Sequence, residues 1–211
     1  MMFTWKRALG VVAVVIAIAA LAGFAWLKLS QPHVRELVFQ PTDYTGWQTY
    51  HDDQSGMTIK YPPGYQLEDE VMRFKADHPE VDVAQMSFSA GLEIYKTQDL
   101  DGSVRDKILD TSTEKQPLVW HGTVYTSIQD YYKSNKYYHF ENVPGELVSL
   151  NGQDAIYVPI PSHPNDGPGA GAMIPASENY YILKNDHIIN ISILADSPYH
   201  DGILQSIVFN H

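Results

Sequence analysis

An uninterrupted apolar run of twenty residues, 8–27, constrains this chain more than any other feature of its sequence. At about 1.5 Å of rise per residue, a helix of this length spans about 30 Å, the thickness of the hydrocarbon core of a bilayer. Lys6 and Arg7 precede the run and predict a cytoplasmic N-terminus. The sequence therefore predicts residues 1–7 in the cytoplasm, a single transmembrane helix over 8–27, and the remaining chain outside the cell membrane.

A cleaved secretory signal is the alternative interpretation of the same segment. Residues 20–22 read Ala-Leu-Ala, the small-residue pattern that precedes signal cleavage, so the mature chain would begin at Gly23. Hydrophobicity nevertheless continues through Leu27, where a cleaved peptide normally becomes polar. The sequence favours a retained anchor in the cell membrane and leaves secretion after cleavage open.

The charge and cysteine content limit what the outer part can bind. All 25 acidic residues follow the apolar run, and the formal net charge of the chain is −11 at pH 7. An acidic surface without a basic stripe repels phosphate backbones, so the sequence argues against nucleic-acid binding. The chain has no cysteine, which removes disulfides, thiolate metal sites and cysteine nucleophiles. The outer part must therefore be stabilised by its own apolar core.

Residues 28–46 are predicted to be a linker, and residues 47–211 an extracytoplasmic domain. Pro32 and Pro41 disfavour a helix in the linker, and residues 43–46 are typical of a turn. The linker is interrupted by a short apolar stretch, residues 37–39, which we expect to dock on the domain.

Strand patterns dominate the domain. The predicted strands are residues 47–50, 57–61, 71–75, 83–89, 91–97, 146–150, 154–159, 180–183, 188–194 and 206–209. Helices are predicted over residues 103–111, 127–137 and 198–205. The dipeptides at 151–152 and 185–186 predict two hairpin turns. The result is an α+β fold with a mainly antiparallel sheet and a few packed helices, with Tyr61, Ile191 and Phe209 in its core.

Several motifs of the domain resemble those of small bacterial extracytoplasmic domains. Trp47-Gln-Thr-Tyr50 and Gly56-Met-Thr-Ile-Lys-Tyr-Pro-Pro-Gly-Tyr65 resemble their opening strands, and Val148-Ser-Leu-Asn-Gly-Gln-Asp-Ala155 resembles their central hairpin. Residues 181–194 and 203–209 are similar to their closing hairpin, helix and strand. The resemblance covers residues 47–209 and implies a PsbP/Mog1-like α/β/α sandwich. The group is mostly uncharacterised, and the resemblance implies no catalytic or cofactor-binding residue.

One short motif carries the chemistry of a metal site. His51, Asp52 and Asp53 place an imidazole beside two carboxylates, which are suitable ligands for a divalent cation. A solvated hairpin loop is the alternative, because Asp near Gly is ordinary turn chemistry.

Ser112-Thr-Glu-Lys115 fits a Ser-x-x-Lys pattern but has no companion motif, and neither a nucleophile elbow nor a phosphate loop is present. The sequence therefore predicts no catalytic residue and no cofactor.

Two tyrosine pairs, Tyr131-Tyr132 and Tyr137-Tyr138, form the candidate partner-binding surface. Aromatic rings are effective anchors for proteins and glycans. The alternative is that one tyrosine of each pair packs on the sheet while its neighbour is half exposed. The Pro- and Gly-rich loop 159–175 is a second candidate.

The sequence as a whole predicts a non-enzymatic, membrane-tethered binding or accessory module of a bacterial envelope. Its expected partners are the lipid bilayer and an envelope protein or glycan. Two alternatives stay open: a cation-binding accessory domain, and an envelope hydrolase whose site is assembled only in three dimensions.

Overall fold

The computed structural model describes residues 16, 18–21, 34–52, 55–81, 91–97, 105–116, 123–134, 137–138, 143–164 and 173–210. The chain divides into two compact units, Met1–His33 and Val34–His211. In the first unit, residues 16 and 18–21 are helical. No helix within the described ranges combines the length and hydrophobicity needed to cross a membrane.

The second unit is built mainly from β-strands. In chain order the strands are β1 (Arg35–Glu36), β2 (Gln48–Asp52), β3 (Met57–Tyr61), β4 (Gln66–Asp69), β5 (Leu92–Thr97), β6 (Arg105–Lys115), β7 (Tyr137–Tyr138), β8 (Val143–Pro144), β9 (Glu146–Leu150), β10 (Gln153–Ile160), β11 (His163–Pro164), β12 (Met173–Ile174), β13 (Ser177–Lys184), β14 (His187–Leu194) and β15 (Val208–Phe209). The helices of this unit are α1 (Glu70–Asp77), α2 (Ile128–Ser134) and α3 (His200–Ser206).

An eight-stranded sheet, in the order β1-β9-β10-β13-β14-β6-β5-β4, forms the centre of this unit. Its pairings are antiparallel except that β1 runs parallel to β9. A three-stranded sheet, β15-β3-β2, and the pairs β11-β12 and β7-β8 complete the described strands. The predicted α+β class, with a mainly antiparallel sheet and few helices, is confirmed.

Apolar side chains cover both faces of the large sheet, because successive residues of a strand point to opposite sides. On β14, Ile189, Ile191 and Ile193 belong to a first cluster, which also includes side chains of β3 and α3. Ile188 belongs to a second cluster, with Ile156 of β10 and side chains of α2. The sheet is therefore buried between a small sheet with α3 on one face and α2 on the other.

The two predicted hairpins are confirmed by their turns. Asn151 and Gly152 both have positive φ angles, of 51° and 81°, as a two-residue hairpin turn between β9 and β10 requires. The side-chain amide of Asn151 also donates to the carbonyl oxygens of Leu204, at 2.7 Å, and Ile207, at 2.8 Å. This turn thus fixes the C-terminal end of α3 against the large sheet.

The predicted strand 71–75 is wrong, because these residues lie in α1. The carboxylate of Asp69 accepts a hydrogen bond from the backbone N–H of Met72 at 2.9 Å and so caps the helix. Glu70 in the first turn and Lys75 in the last turn complement the helix dipole. No residue of α1 is buried, so capping and charge decide this element rather than an apolar stripe.

The predicted helix 103–111 is also wrong, because its described part lies in β6. This strand pairs with both β14 and β5, and Thr111 and Thr113 are buried along it. The helical pattern of apolar residues around Ile108 and Leu109 covers only a few positions. Strand pairing on both sides of β6 outweighs it. The predicted helix 127–137 ends at Ser134 as α2, and the predicted strand 83–89 lies outside the described residues.

Of the three predicted core residues, Ile191 is confirmed, since it is fully buried. The prediction for Tyr61 and Phe209 is wrong, because both are only half-buried at the margin of the first cluster. Phe209 lies in a two-residue strand at the edge of the three-stranded sheet, where it pairs with β3 alone.

Residues 34–46, which the sequence presents as a linker, lie on the domain as an extended segment that we call the strap. Its first part is β1, and the backbone N–H of Leu37 donates to the carbonyl of Ser149 at 3.1 Å. Leu37 and Phe39 pack against the first cluster, so the expected docking of the apolar stretch is confirmed. The strap therefore belongs to the packed domain and leads directly into β2.

Candidate functional site

A cleft of about 560 Å³ lies between the strap and the turn that leads into α3. Its volume is in the range typical of small-molecule and peptide sites. One wall consists of Gln40, Pro41, Thr42, Asp43 and Trp47, and the other of Ala195, Ser197, Pro198, Tyr199, His200, Asp201 and Gly202. The cleft thus combines aromatic, apolar and carboxylate side chains.

The base of the cleft is closely packed around Gly202. A Cβ atom added at this position would come within 2.8 Å of Thr42 Cγ2 and 2.9 Å of Trp47 Cη2. The hydroxyl of Tyr44 donates to the carbonyl of Gly202 at 2.8 Å, and Trp47 meets the Tyr199 ring edge-on at 5.9 Å. Because the strap approaches the helix backbone this closely, the two walls hold a fixed separation.

A polar network lies beside the cleft, centred on the carboxylate of Glu178 in β13. Its Oε2 accepts a hydrogen bond from the Tyr180 hydroxyl at 2.6 Å and lies 2.9 Å from His200 Nε2. Its Oε1 accepts from the Tyr157 hydroxyl at 3.2 Å. Three donors from three elements of the fold, β10, β13 and α3, therefore converge on one carboxylate.

The second ring nitrogen of His200 also meets a carboxylate. Nδ1 lies 3.0 Å from Asp201 Oδ1, and the other oxygen of Asp201 accepts from the backbone N–H of Gln40 at 3.3 Å. Ionised carboxylates only accept hydrogen bonds, so both nitrogens of His200 must donate. The geometry therefore assigns an imidazolium to His200, and this cation joins Glu178 to the strap.

The network raises the pKa values of its proton donors and lowers the pKa of the carboxylate that accepts from them. Burial lowers the pKa of His200, but the hydrogen bonds to Glu178 and Asp201 outweigh it, and the net shift is upward. The hydrogen bond from His200 and those from the tyrosines lower the pKa of Glu178. Burial and the adjacent Glu178 raise the pKa of Tyr157 to about 12 and that of Tyr180 further. The ion pair and both hydroxyl donors are thus stabilised together.

The network reaches the other end of the strap through Arg35. The guanidinium of Arg35 forms two hydrogen bonds to Glu146, Nε at 2.9 Å and Nη2 at 3.1 Å. The same group lies 5.8 Å from the centre of the Tyr157 ring, whose centre is 5.4 Å from that of the Tyr180 ring at an interplanar angle of 43°. Arg35 is therefore connected to Gln40 through Tyr157, Glu178, His200 and Asp201.

His51 and Asp52, two of the predicted metal residues, lie at the C-terminal end of β2. His51 Nδ1 lies 3.0 Å from the Thr58 hydroxyl, and the carboxylate of Asp52 accepts from the backbone N–H and hydroxyl of Ser55. Asp53 lies outside the described residues. Across the part of the chain that the structure describes, no three His, Asp or Glu side chains are grouped to hold a metal ion. Metal binding by this motif stays a prediction.

The predicted tyrosine surface is only partly described. Tyr131 is buried against Tyr125, with ring centres 5.0 Å apart, and Tyr132 is half-buried with its hydroxyl bonded to the Gly145 carbonyl at 3.0 Å. Tyr137 and Tyr138 form β7, and their side chains lie outside the described residues, as do residues 165–172 of the loop 159–175. Partner binding at these four tyrosines stays a prediction.

The network could not be predicted from the sequence, because its members are far apart in the chain. Glu178 and His200 are 22 residues apart, and the return of α3 onto the sheet brings them together. The available signal was the His200-Asp201 pair at the start of a predicted helix. Ser112 and Lys115, which fit a catalytic pattern, lie in β6 instead of at the start of a buried helix.

Comparison with protein families and with curated proteins gives no match. Among solved structures, this chain is similar to the solution structure of cyanobacterial PsbP (CyanoP) from Synechocystis sp. PCC 6803, with a TM-score of 0.41, 12% identity, and coverage of 82% of this chain and 98% of that one. It is also similar to a crystal structure from Bacteroides thetaiotaomicron VPI-5482, with a TM-score of 0.46, 9% identity and coverage of 79% of this chain. This chain covers 49% of that second protein, about half its length. The PsbP-like resemblance is moderate and structural only.

Substitution of Glu178 tests whether the network contributes to stability. We expect Glu178→Gln to lower the free energy of unfolding at pH 6 by about 1–3 kcal/mol, because the His200 cation loses its partner and the new amide cannot accept all three donors. Urea unfolding at pH 6 measures the change. Glu36→Gln, at an exposed position of β1, is the control and should change stability by less than about 0.5 kcal/mol. If the free energy of unfolding changes by the same small amount in both variants, the network does not contribute to stability.

Proposed function

We propose that this chain is a non-enzymatic binding or accessory module of a bacterial envelope, tethered to the cell membrane by residues 8–27. The cleft between the strap and α3 is the observation that carries the binding part of this proposal. In this proposal the cleft binds a segment of an envelope protein, and a basic side chain of that segment packs against the rings of Trp47 and Tyr199. Tethering follows from the length of the apolar run and from Lys6 and Arg7 before it.

The charge at the rim of the cleft supports a basic partner. Hydrogen bonds from the side chain and backbone of Thr45 lower the pKa of Asp43, so this exposed carboxylate is ionised at neutral pH. The whole chain carries a formal net charge of −11, which steers cationic partners towards it. Aromatic rings beside a carboxylate are the usual composition of an anchor pocket for Lys or Arg.

The state of His200 favours binding over hydrolysis. A general base must have a free ring nitrogen to take a proton from the nucleophile. Both nitrogens of His200 are bonded to carboxylates, and the hydroxyl of Ser197 in the same wall accepts from the backbone N–H of Tyr199 at 3.2 Å. Among the described residues, no serine hydroxyl bonds to His200. The imidazolium is therefore a structural cation in this proposal.

We assign the domain to the PsbP/Mog1-like α/β/α sandwich as part of the same proposal. The placement of α2 on one face of the large sheet and α3 on the other supports this finer assignment. The extracytoplasmic location follows from the predicted topology of residues 1–27.

The anchor makes a direct prediction about fractionation. The full-length protein should remain in the membrane pellet after washing with high salt and with alkaline carbonate, because a helix of about 30 Å leaves the bilayer only when detergent dissolves it. The measurement is immunoblotting of pellet and supernatant, with N-terminal sequencing of the mature chain. Release into the supernatant, or a mature chain that begins at Gly23, would contradict the retained anchor and favour the secreted alternative.

Binding in the cleft predicts a selective effect of Ala195→Arg. This exposed residue lines the cleft, so a long cationic side chain should fill it and repel a basic partner. A pulldown of the intact tethered protein from solubilised membranes should lose its partner, while the melting temperature stays within about 2 °C. Val124→Arg introduces the same charge at an exposed position outside the cleft and should keep the partner.

The same pulldown separates the cleft from the tyrosine surface. Tyr138→Ala should keep the partner if binding occurs in the cleft. If Tyr138→Ala loses the partner while Ala195→Arg keeps it, the cleft proposal fails and the predicted aromatic surface takes its place.

A further inference from the structure

The strap wall of the cleft is fixed on α3 by several contacts. The Tyr44 hydroxyl donates to the Gly202 carbonyl at 2.8 Å. Thr42 and Trp47 also pack directly on Gly202. Asp43 follows Thr42 and precedes Tyr44, so its backbone is held on both sides. Little backbone freedom is therefore lost when a ligand binds to the carboxylate of Asp43.

We propose that the cleft selects an arginine side chain, whose guanidinium packs over the ring of Trp47 and donates to the carboxylate of Asp43. Asp43 is then the residue that determines which side chain the cleft binds. This inference rests on the proposed function, because it names the basic group that the partner presents.

Asp43 and Asp201 both line the cleft, and they differ in what they offer to a ligand. Asp201 Oδ1 lies 3.0 Å from His200 Nδ1, and Oδ2 accepts from the backbone N–H of Gln40. In Asp43, the bonds from the Thr45 hydroxyl and backbone N–H both go to Oδ1, at 2.7 and 2.9 Å. Within the described part of the chain, Oδ2 of Asp43 accepts no hydrogen bond. Asp43 therefore has a carboxylate oxygen for a ligand, and Asp201 does not.

Charge favours the same carboxylate. The hydrogen bonds from the hydroxyl and the backbone N–H of Thr45 lower the pKa of Asp43, so it is ionised at neutral pH. The charge of Asp201 is offset by the imidazolium of His200 beside it. An incoming cation is therefore attracted mainly to Asp43.

Aromatic rings lie next to this carboxylate. Tyr44, Trp47 and Tyr199 form an edge-on series, with ring centres 5.1 and 5.9 Å apart. The ammonium of Lys60 lies 4.6 Å from the centre of the Tyr44 ring, so the fold already places one cation on this series. Repulsion from Lys60 directs a second cation to Trp47 and Tyr199, which line the cleft.

Apolar surface is available for the stem of the side chain. Pro41, Ala195 and Pro198 line the same cleft. The methylene groups of an arginine can pack along such surface while the charged head reaches a polar rim. The cleft thus offers a contact to each part of an arginine: apolar surface to the stem, a ring to the guanidinium plane, and a carboxylate oxygen to its N–H groups.

A lysine side chain suits this cleft less well. An ammonium is strongly hydrated, and several acceptors must replace its water. Of the carboxylate oxygens of Asp43 and Asp201, only Oδ2 of Asp43 is left for it. A guanidinium is more weakly hydrated, and its faces need no hydrogen bond when they lie on an aromatic ring. The cleft should therefore bind arginine more tightly than lysine.

Fluorine NMR of the full-length protein in a non-ionic detergent tests this selection. The chain has four tryptophans, so labelling with 5-fluorotryptophan gives few signals, and Trp47→Phe assigns that of Trp47. The probes are alanine peptides, blocked at both ends, with a central arginine, lysine or citrulline. Citrulline has the shape of arginine without its charge. We expect the arginine peptide to shift the Trp47 signal with a dissociation constant on the order of 1 mM.

The other two peptides measure the selectivity. The lysine peptide should bind at least about fivefold more weakly than the arginine peptide, and the citrulline peptide at least about tenfold more weakly. The signals of Trp5 and Trp26, in the predicted anchor, are the internal reference and should not shift.

Two variants test whether Asp43 receives the guanidinium. Asp43→Asn keeps an oxygen for the bonds from Thr45 but removes the charge, and it should weaken binding of the arginine peptide about tenfold. The control is Asp196→Asn, which removes the same charge from an exposed position adjacent in sequence to the cleft residue Ala195. Its affinity for the arginine peptide should stay within about twofold of the wild type at physiological salt.

Each outcome decides the question. Equal affinities for the arginine and lysine peptides, or an arginine affinity that Asp43→Asn leaves unchanged, would overturn the selection but leave a basic side chain in the cleft. An equal loss in Asp43→Asn and Asp196→Asn would also overturn it, because the general negative charge would then be responsible. If Asp43→Asn does not fold, the three peptides on the wild type still decide. A Trp47 signal that no peptide shifts would overturn the inference, and the pulldown with Ala195→Arg tests the proposed function separately.

Discussion

The contact between Glu178 and His200, together with Asp201, connects the large sheet, α3 and the strap. Glu178 belongs to the large sheet, His200 begins α3, and Asp201 beside it receives the strap. Removing a carboxylate and an imidazole from water is costly unless each is paired and hydrogen-bonded. The two tyrosine hydroxyls and the second carboxylate supply the remaining partners, so the desolvation cost is offset. Through Asp201, this pair is linked to Gln40 of the strap, and His200 lies in the wall of the cleft.

Local chemistry explains which elements could be predicted from the sequence. The Asn-Gly dipeptide at 151–152 needs only its own backbone preferences to form a turn, and the paired strands follow from it. The docking of Leu37 and Phe39 follows from their hydrophobicity. The strand β6 could not be predicted in this way, because its pairing with β14 involves residues about eighty positions later in the chain. Its own pattern around Ile108 suits a helix equally well.

The candidate site was harder to predict than the fold, because it depends on contacts between residues that are far apart in the sequence. Nothing near Glu178 in the sequence indicates that its partner is His200, since the two meet only after α3 has folded back over β13. The Tyr157–Tyr180 register across β10 and β13 places both hydroxyls on the same carboxylate. Motif searches find residues that are close in sequence, such as His51 and Asp52, and here the larger polar assembly is built from residues that are not.

The strap connects these observations to the proposed function. It follows the predicted anchor in the chain and forms one wall of the cleft. It is held on α3 by the backbone N–H of Gln40, which donates to Asp201, and by the Tyr44 hydroxyl, which donates to the Gly202 carbonyl. A partner that enters the cleft would therefore contact residues 40–43 of the strap directly.

Truncation tests whether the strap is an integral part of the domain. A chain that begins at Val34 and one that begins at Trp47 differ only in the strap. Urea unfolding at pH 6 should give a free energy of unfolding at least about 2 kcal/mol lower for the shorter chain, because the burial of Leu37 and Phe39 and the hydrogen bond from Gln40 to Asp201 are lost. Free energies equal within about 0.5 kcal/mol would contradict the claim and make residues 34–46 a simple linker.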